Sequence, residues 1–167
     1  QLIETGVEFV SLAPGSRNGP ISLALIEAEK QGLISIHVRI DERSAAFLAL
    51  GAAIKTGKPA AVLTTSGTAV ANIFPAIIEA KYAGIPFIVL TADRPKEWIG
   101  QWDGQTIYQE NLFGKHAKAF FDFETDDCTS APLTAMAEPK GPVQINVPIS
   151  EPFYPEPGFV LENSSAI

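Results

Sequence analysis

Residues 33–56, LISIHVRIDERSAAFLALGAAIKT, change their periodicity halfway. Up to the acid-acid-base triplet Asp41-Glu42-Arg43, Ile34, Ile36, Val38 and Ile40 alternate with Ser35, His37, Arg39 and Asp41, the two-residue period of a strand. From about Ser44 to Thr56 comes a run of Ala, Leu, Phe and Ile that is too long for a strand and stops before Gly57, as a helix does. The same unit recurs on both sides. "VEFVSLA" (7–13) precedes a helix from about Pro20 to Gln31, with Gly32 beyond its end. "PAAVLTT" (59–65) precedes a long helix from about Thr68 to Tyr82, which Pro75 should kink. "PFIVLTA" (86–92) leads to an irregular stretch with a short helix near Thr106 to Phe113, and "KAFFDF" (118–123) and "PVQINVP" (142–148) complete the series. Strands and helices alternating at this spacing argue an α/β fold: a three-layer domain with a mainly parallel sheet of about six strands and helices on both faces. There is no internal repeat.

The domain is expected over residues 1–150, with the Pro-rich 151–167 as a linker toward further domains. "ETDDCTSAPLTAMAEPKGP" (124–142) fits less well, because a right-handed crossover normally takes a full helix. Either the crossover is minimal or the chain is shortened there. The opening "QLIETG" has neither a basic start nor an apolar signal core, and Gly6 resembles the cap of a helix already under way, so a start inside a larger polypeptide is expected.

With 167 residues the chain is sized for one core. Apolar residues make up 46% and charged residues 19%, and the longest uncharged apolar run, around Ser44 to Ile54, is too short to cross a bilayer. A net charge of −7 without clustered Lys or Arg argues against nucleic acid and anionic membranes as partners. The lone Cys128 excludes a disulfide framework and suits a cytoplasmic location.

Two geometries compete for Glu42. If the strand runs through the triplet, Glu42 is in phase with the isoleucines and faces the apolar side, where desolvation would raise its pKa and make it a proton donor. If the strand has ended, Asp41 caps the next helix and Glu42 favours its positive end. Pattern alone weighs toward the second. Against it stands the helix itself, in which Ala45, Ala46, Phe47, Leu48, Ala49, Leu50, Ala52, Ala53 and Ile54 leave no polar face. The helix after Gly67 is nearly as apolar, and two such helices imply cover by another domain or subunit.

The loops after the strands hold the remaining candidates, since ligands of open α/β sheets gather at the strands' carboxyl ends. "APGSRNGP" (13–20) offers Arg17 and "TADRPKEW" (91–98) offers Arg94, a pair suited to a substrate bearing carboxylates, with a salt bridge to an acid such as Asp93 as the plain alternative. "TTSGTAVAN" (64–72) places a glycine and hydroxyls at a strand-to-helix junction whose backbone N–H groups can receive a phosphate, although most such junctions are only caps. His37 and His116 have no metal-like spacing and read as structural; Trp98 and Trp102 read as packing or as cover for a pocket. No serine stands in a nucleophile-elbow context.

Taken in order, "APGSRNGPISLAL", "HVRIDERSAAFLALGAA", "VLTTSGTAVANIFPAIIEA", "IVLTADRP", "GQTIYQ" and "PVQINVPISEPFY" resemble the N-terminal pyrimidine-binding domain of thiamine-diphosphate enzymes. "PGSR", "DER" and "TADRP" narrow the resemblance to the 2-succinyl-5-enolpyruvyl-6-hydroxy-3-cyclohexene-1-carboxylate synthase family of menaquinone biosynthesis, with Asp126 to Pro139 matching poorly. The resemblance implies a pyrimidine-domain fold and a decarboxylating, C–C bond-forming transferase acting on 2-oxoglutarate and isochorismate. It makes Glu42 the carboxyl that hydrogen-bonds the cofactor's aminopyrimidine, the catalytic role. It puts Thr65 and Asn72 near the same ring, and Ser16, Arg17, Arg94 and Gln105 in the substrate site. It implies thiamine diphosphate and Mg²⁺ as cofactors, the latter held by a Gly-Asp-Gly motif this chain lacks, where Asp103-Gly104 is the sole Asp-Gly. The diphosphate-binding domain would then come from the second subunit of a homodimer or dimer of dimers, and this chain alone would be inactive. An acetolactate-synthase-like enzyme and a non-catalytic α/β binding module are the alternatives.

Overall fold

The structure, a computed structural model, describes residues 2–154. Most of the expected linker, from residue 155 onward, lies outside the described residues. Six strands form one parallel sheet: β1 (Phe9–Leu12), β2 (Ser35–Val38), β3 (Ala60–Thr64), β4 (Phe87–Asp93), β5 (Ala119–Asp122) and β6 (Pro142–Pro148), in the order β2-β1-β3-β4-β6-β5.

The two faces follow from strand alternation. Ala60, Val62, Phe87 and Val89 point into one core with α2 (Glu42–Thr56) and α4 (Phe74–Ala83). Ala61, Leu63, Ile88 and Leu90 point into the other with α1 (Gly19–Lys30) and α5 (Ala131–Met136). Because β3 and β4 are covered on both sides, every residue of both is buried.

Local signals set the helix ends. Pro20 lies in the first turn of α1, where its missing N–H costs nothing. Asp41 caps α2 by accepting from the Ser44 amide at 2.7 Å, and Gly57 ends it at φ 71°. The expected long helix breaks at Ile73 into α3 (Thr68–Asn72) and α4, with Pro75 in the first turn of α4. The crossover from β5 to β6 is minimal, one 3₁₀ turn at Cys128–Ser130 and the six residues of α5.

Two expectations need correction. Residues 106–109 are irregular and 110–113 form turns, with no helix; Gln105 and Asn111 adopt positive φ, which interrupts helical progression. By contrast, Gly6 bonds as the expected cap does: at φ 92° its amide donates to the Ile3 carbonyl at 3.0 Å and the Val7 amide to the Leu2 carbonyl at 3.1 Å, closing the turns of residues 2–6 in the Schellman pattern. The strand ends at Val38, so its alternation never reaches Glu42, and Ile40 is 89% exposed.

Candidate functional site

β1, β3 and β4 lie side by side, with Leu12 opposite Leu63 and Thr64 opposite Thr91, so the loops that follow them share one edge of the sheet. The loop after β1 is tied from within. Asn18 is fully buried, accepts from the Gly15 amide at 3.0 Å and donates to the Ala13 carbonyl at 2.8 Å. Gly15 touches the loop after β3 so closely that a Cβ there would fall 2.5 Å from Thr65 Cβ. Only glycine lets these loops close together.

Around this contact lies a cavity of about 510 Å³ lined by Ser16, Arg17, Glu42, Thr65, Arg94 and Gln105, together with Glu151 and Phe153 from the segment after β6. Six of the seven sequence-predicted site residues meet here. The seventh, Asn72, lines an adjoining cavity of about 450 Å³ that shares Glu42 and Gln105 in its walls and adds Thr68, Ala69 and Ala71. Asn72 Nδ2 donates to Glu42 Oε2 at 2.8 Å, which orients the carboxyl from α3 across to α2. Glu42 is half-buried at the first turn of α2, so in this chain its dry setting is incomplete, contrary to the strand-phase expectation.

The two arginines differ. Arg94 is held by its own chain: Nη1 donates to Ser66 Oγ at 2.6 Å, Nη2 to the Gly104 carbonyl at 2.8 Å, and Nε lies 3.4 Å from Asp103. Asp93, the acid suggested for it by sequence, instead accepts from the Arg94 backbone amide and from Asn146 Nδ2, at 2.8 and 2.9 Å. Burial pushes the Asp93 carboxyl above its usual range. Arg17 is 5% exposed, donates through Nη1 to the Ile149 carbonyl at 2.7 Å, and buries an Nε that has no partner among the described residues. Burial and the nearby Arg94 push its guanidinium below the ordinary value. A mostly buried cation lining a cavity suits an anion.

Sequence reasoning missed several residues. Ser66 donates to the Gln105 carbonyl at 3.1 Å while receiving Arg94, and its own carbonyl accepts from Gln105 Nε2 at 3.0 Å. Fully buried Gln109 accepts from the Gly67 amide at 2.8 Å, so that N–H, proposed for a phosphate, is already used. Trp98 and Phe153 lie within cation–π distance of Arg17, while Trp102, 99% exposed, borders a small cavity with Ile107 and Tyr108. The histidines are structural: His37 stacks on Phe9 at 4.4 Å and His116 meets Phe74 edge-on at 5.6 Å. Among the described residues no His, Cys, Asp and Glu group forms a metal site, and no helix is long and apolar enough to cross a membrane. A separate cavity of about 590 Å³ beyond β4, β5 and β6 is rich in acids, but Asp122 is paired with Lys96 and Asp126 accepts from the Asp122 amide.

An open parallel sheet covered by helices on both faces, with a carboxyl and two arginines at its carboxyl edge, is a domain of the α/β class. The chain belongs to the thiamine pyrophosphate enzyme N-terminal TPP binding domain family, whose model matches residues 1–116. It is 45% identical over 178 aligned residues to the 2-succinyl-5-enolpyruvyl-6-hydroxy-3-cyclohexene-1-carboxylate synthase of Cytophaga hutchinsonii, covering 99% of this chain and 31% of that protein. It is 46% identical over 168 residues to the synthase of Saccharopolyspora erythraea (93% of this chain, 30% of that protein) and 45% over 173 residues to that of an Arthrobacter species (98% and 29%). The chain thus spans about three tenths of the length of these relatives.

Proposed function

We propose that the chain is the N-terminal domain of a cytoplasmic, thiamine-diphosphate-dependent synthase that decarboxylates 2-oxoglutarate and joins the remaining four-carbon unit to isochorismate in menaquinone biosynthesis. The observation that carries this reading is the convergence of Glu42 with Arg17, Arg94, Ser16 and Gln105 around one cavity. Both proposed substrates bear carboxylates, and the cavity is lined by two guanidinium groups, of which Arg17 commits Nη1 to the Ile149 carbonyl.

The residues present fit the pyrimidine end of the cofactor. A carboxyl oriented by Asn72 opens onto a cleft walled by Ala69, Ala71 and Thr68, small enough to admit a flat heteroaromatic ring. Thiamine diphosphate, when bound, supplies the carbon chemistry of decarboxylation and transfer. Glu42 hydrogen-bonds the ring's nitrogen edge, Thr65 and Asn72 shape the cleft, and Ser16, Arg17, Arg94 and Gln105 orient the carboxylates. The diphosphate and its Mg²⁺ we assign to a domain outside these residues, in the second subunit of a homodimer or dimer of dimers. Exposed Val38, Ile40, Phe47 and Ile54, on and just before α2, support a covering surface close to Glu42.

The test is product formation by the full-length polypeptide given thiamine diphosphate, Mg²⁺ and 2-oxoglutarate, with and without isochorismate. Carbon dioxide release that requires isochorismate, with the succinyl adduct detected by mass spectrometry, is the expected result. Turnover of pyruvate to acetolactate instead would move the chain to another branch of the family.

A further inference from the structure

We propose that Trp98 and Phe153 are positioning residues that hold Arg17 as a carboxylate receptor, which makes the segment leaving β6 part of the substrate site. This rests on the proposed function and assigns two residues that it leaves out.

Three separate stretches of chain meet at Arg17. The guanidinium carbon lies 5.5 Å from the centroid of Trp98, in the loop after β4, and 4.5 Å from that of Phe153, five residues beyond the end of β6. The segment carrying Phe153 is fastened at its root, where the Ile149 amide donates to the Asp93 carbonyl at 3.0 Å and the Ile149 carbonyl accepts from Arg17. Phe153 also sits against the start of α1, its carbonyl oxygen 3.8 Å from where a Cβ on Gly19 would stand.

Aromatic rings stabilise a guanidinium through its flat face and leave its N–H groups, which lie in the plane, available. Arg94 shows the opposite solution, since its N–H groups are taken by Ser66, Gly104 and Asp103. Arg17 can therefore stay 5% exposed and yet keep Nε without a partner. Glu151 lines the same cavity and its charge favours the Arg17 cation, but the two form no ion pair among the described residues, which leaves a carboxylate position beside Arg17 unfilled by the chain. Two rings in place of two acids set a site that is fixed in position and still attracts anions.

The experiment is steady-state kinetics on the full-length enzyme with 2-oxoglutarate and isochorismate varied separately, comparing wild type with Phe153→Leu, Phe153→Tyr, Trp98→Leu and Trp98→Phe. Leucine keeps apolar bulk and removes the π face, so each leucine variant should raise KM for one carboxylate substrate about 3- to 30-fold with kcat within about twofold. Phe153→Tyr and Trp98→Phe should restore wild-type KM to within about threefold. Leucine variants with unchanged KM for both substrates, or a loss of kcat alone, or failure of the aromatic variants to restore KM, would overturn the clamp while leaving the proposed function standing. Absence of turnover in the wild type would overturn the proposed function and the clamp with it.

Discussion

The two ends of the cleft are built to different degrees of completion. At the Arg17 end, this chain supplies the cation, two aromatic rings, a carbonyl acceptor and the tight Gly15–Thr65 contact beneath. At the Glu42 end, it supplies a half-buried carboxyl with the Asn72 amide as its side-chain partner, next to apolar residues that face outward. Under the proposed function, the contrast puts substrate anchoring within this domain, whereas the chemistry proposed for Glu42 depends on a surface that must be brought to it.

The contrast can be broken from either end. Arg17→Ala should lower kcat/KM for one carboxylate substrate about 10- to 100-fold, the worth of a charge-assisted hydrogen bond, while leaving thiamine diphosphate affinity unchanged. Equal loss of cofactor affinity would show that the two ends are one unit. Ile40→Glu and Ile54→Glu strike the other end. Both side chains are exposed, so the fold should survive by circular dichroism, while subunit dissociation measured by ultracentrifugation should rise about tenfold or more and cofactor affinity should fall with it.

Gly15→Ala sharpens the comparison by stressing the floor of the substrate end. The added methyl meets Thr65, and overpacking of this kind costs about 1–3 kcal/mol, readable as a lower midpoint in denaturant. The smallest effect concerns Asp93 beneath Arg94. Its folded pKa is raised, so the unfolded chain ionises first as pH climbs past about 4, and the native state loses stability until pH passes the folded value. The melting temperature of Asp93→Asn relative to wild type should therefore rise from pH 4 toward neutrality. A difference that stays flat with pH would contradict the raised pKa.

Much of the architecture was legible because the sheet is buried on both faces. β3 and β4 read directly as continuous apolar runs, and Gly57 and Pro75 marked a helix end and a helix break where the structure has them. The misreadings share one cause, apolar or polar residues whose partners lie far away. Ile40 continued the alternation of an edge strand that had already ended, because its apolar side chain faces out of this domain. Gln109 looked helical in its surroundings, yet it turns inward to satisfy the Gly67 amide, Asn146 Oδ1 and the Ala92 carbonyl. The Arg17 clamp joins residues more than 130 positions apart through Ile149, and no local periodicity encodes such a contact. Loop positions were therefore legible for Arg17 and Arg94 as cations at a sheet edge, while what each arginine touches was not.

The central claim is that Glu42 serves a thiamine cofactor completed by another surface. The most direct measurement is isochorismate-dependent turnover of 2-oxoglutarate by the full-length enzyme carrying Glu42→Gln, with thiamine diphosphate affinity measured on the same protein. Glutamine keeps the shape and the acceptor for Asn72 but removes the acid–base carboxyl, so turnover should fall about 100-fold or more while cofactor affinity stays within about threefold. Turnover close to wild type would contradict the account and leave Glu42 as an ordinary acid at the start of a helix.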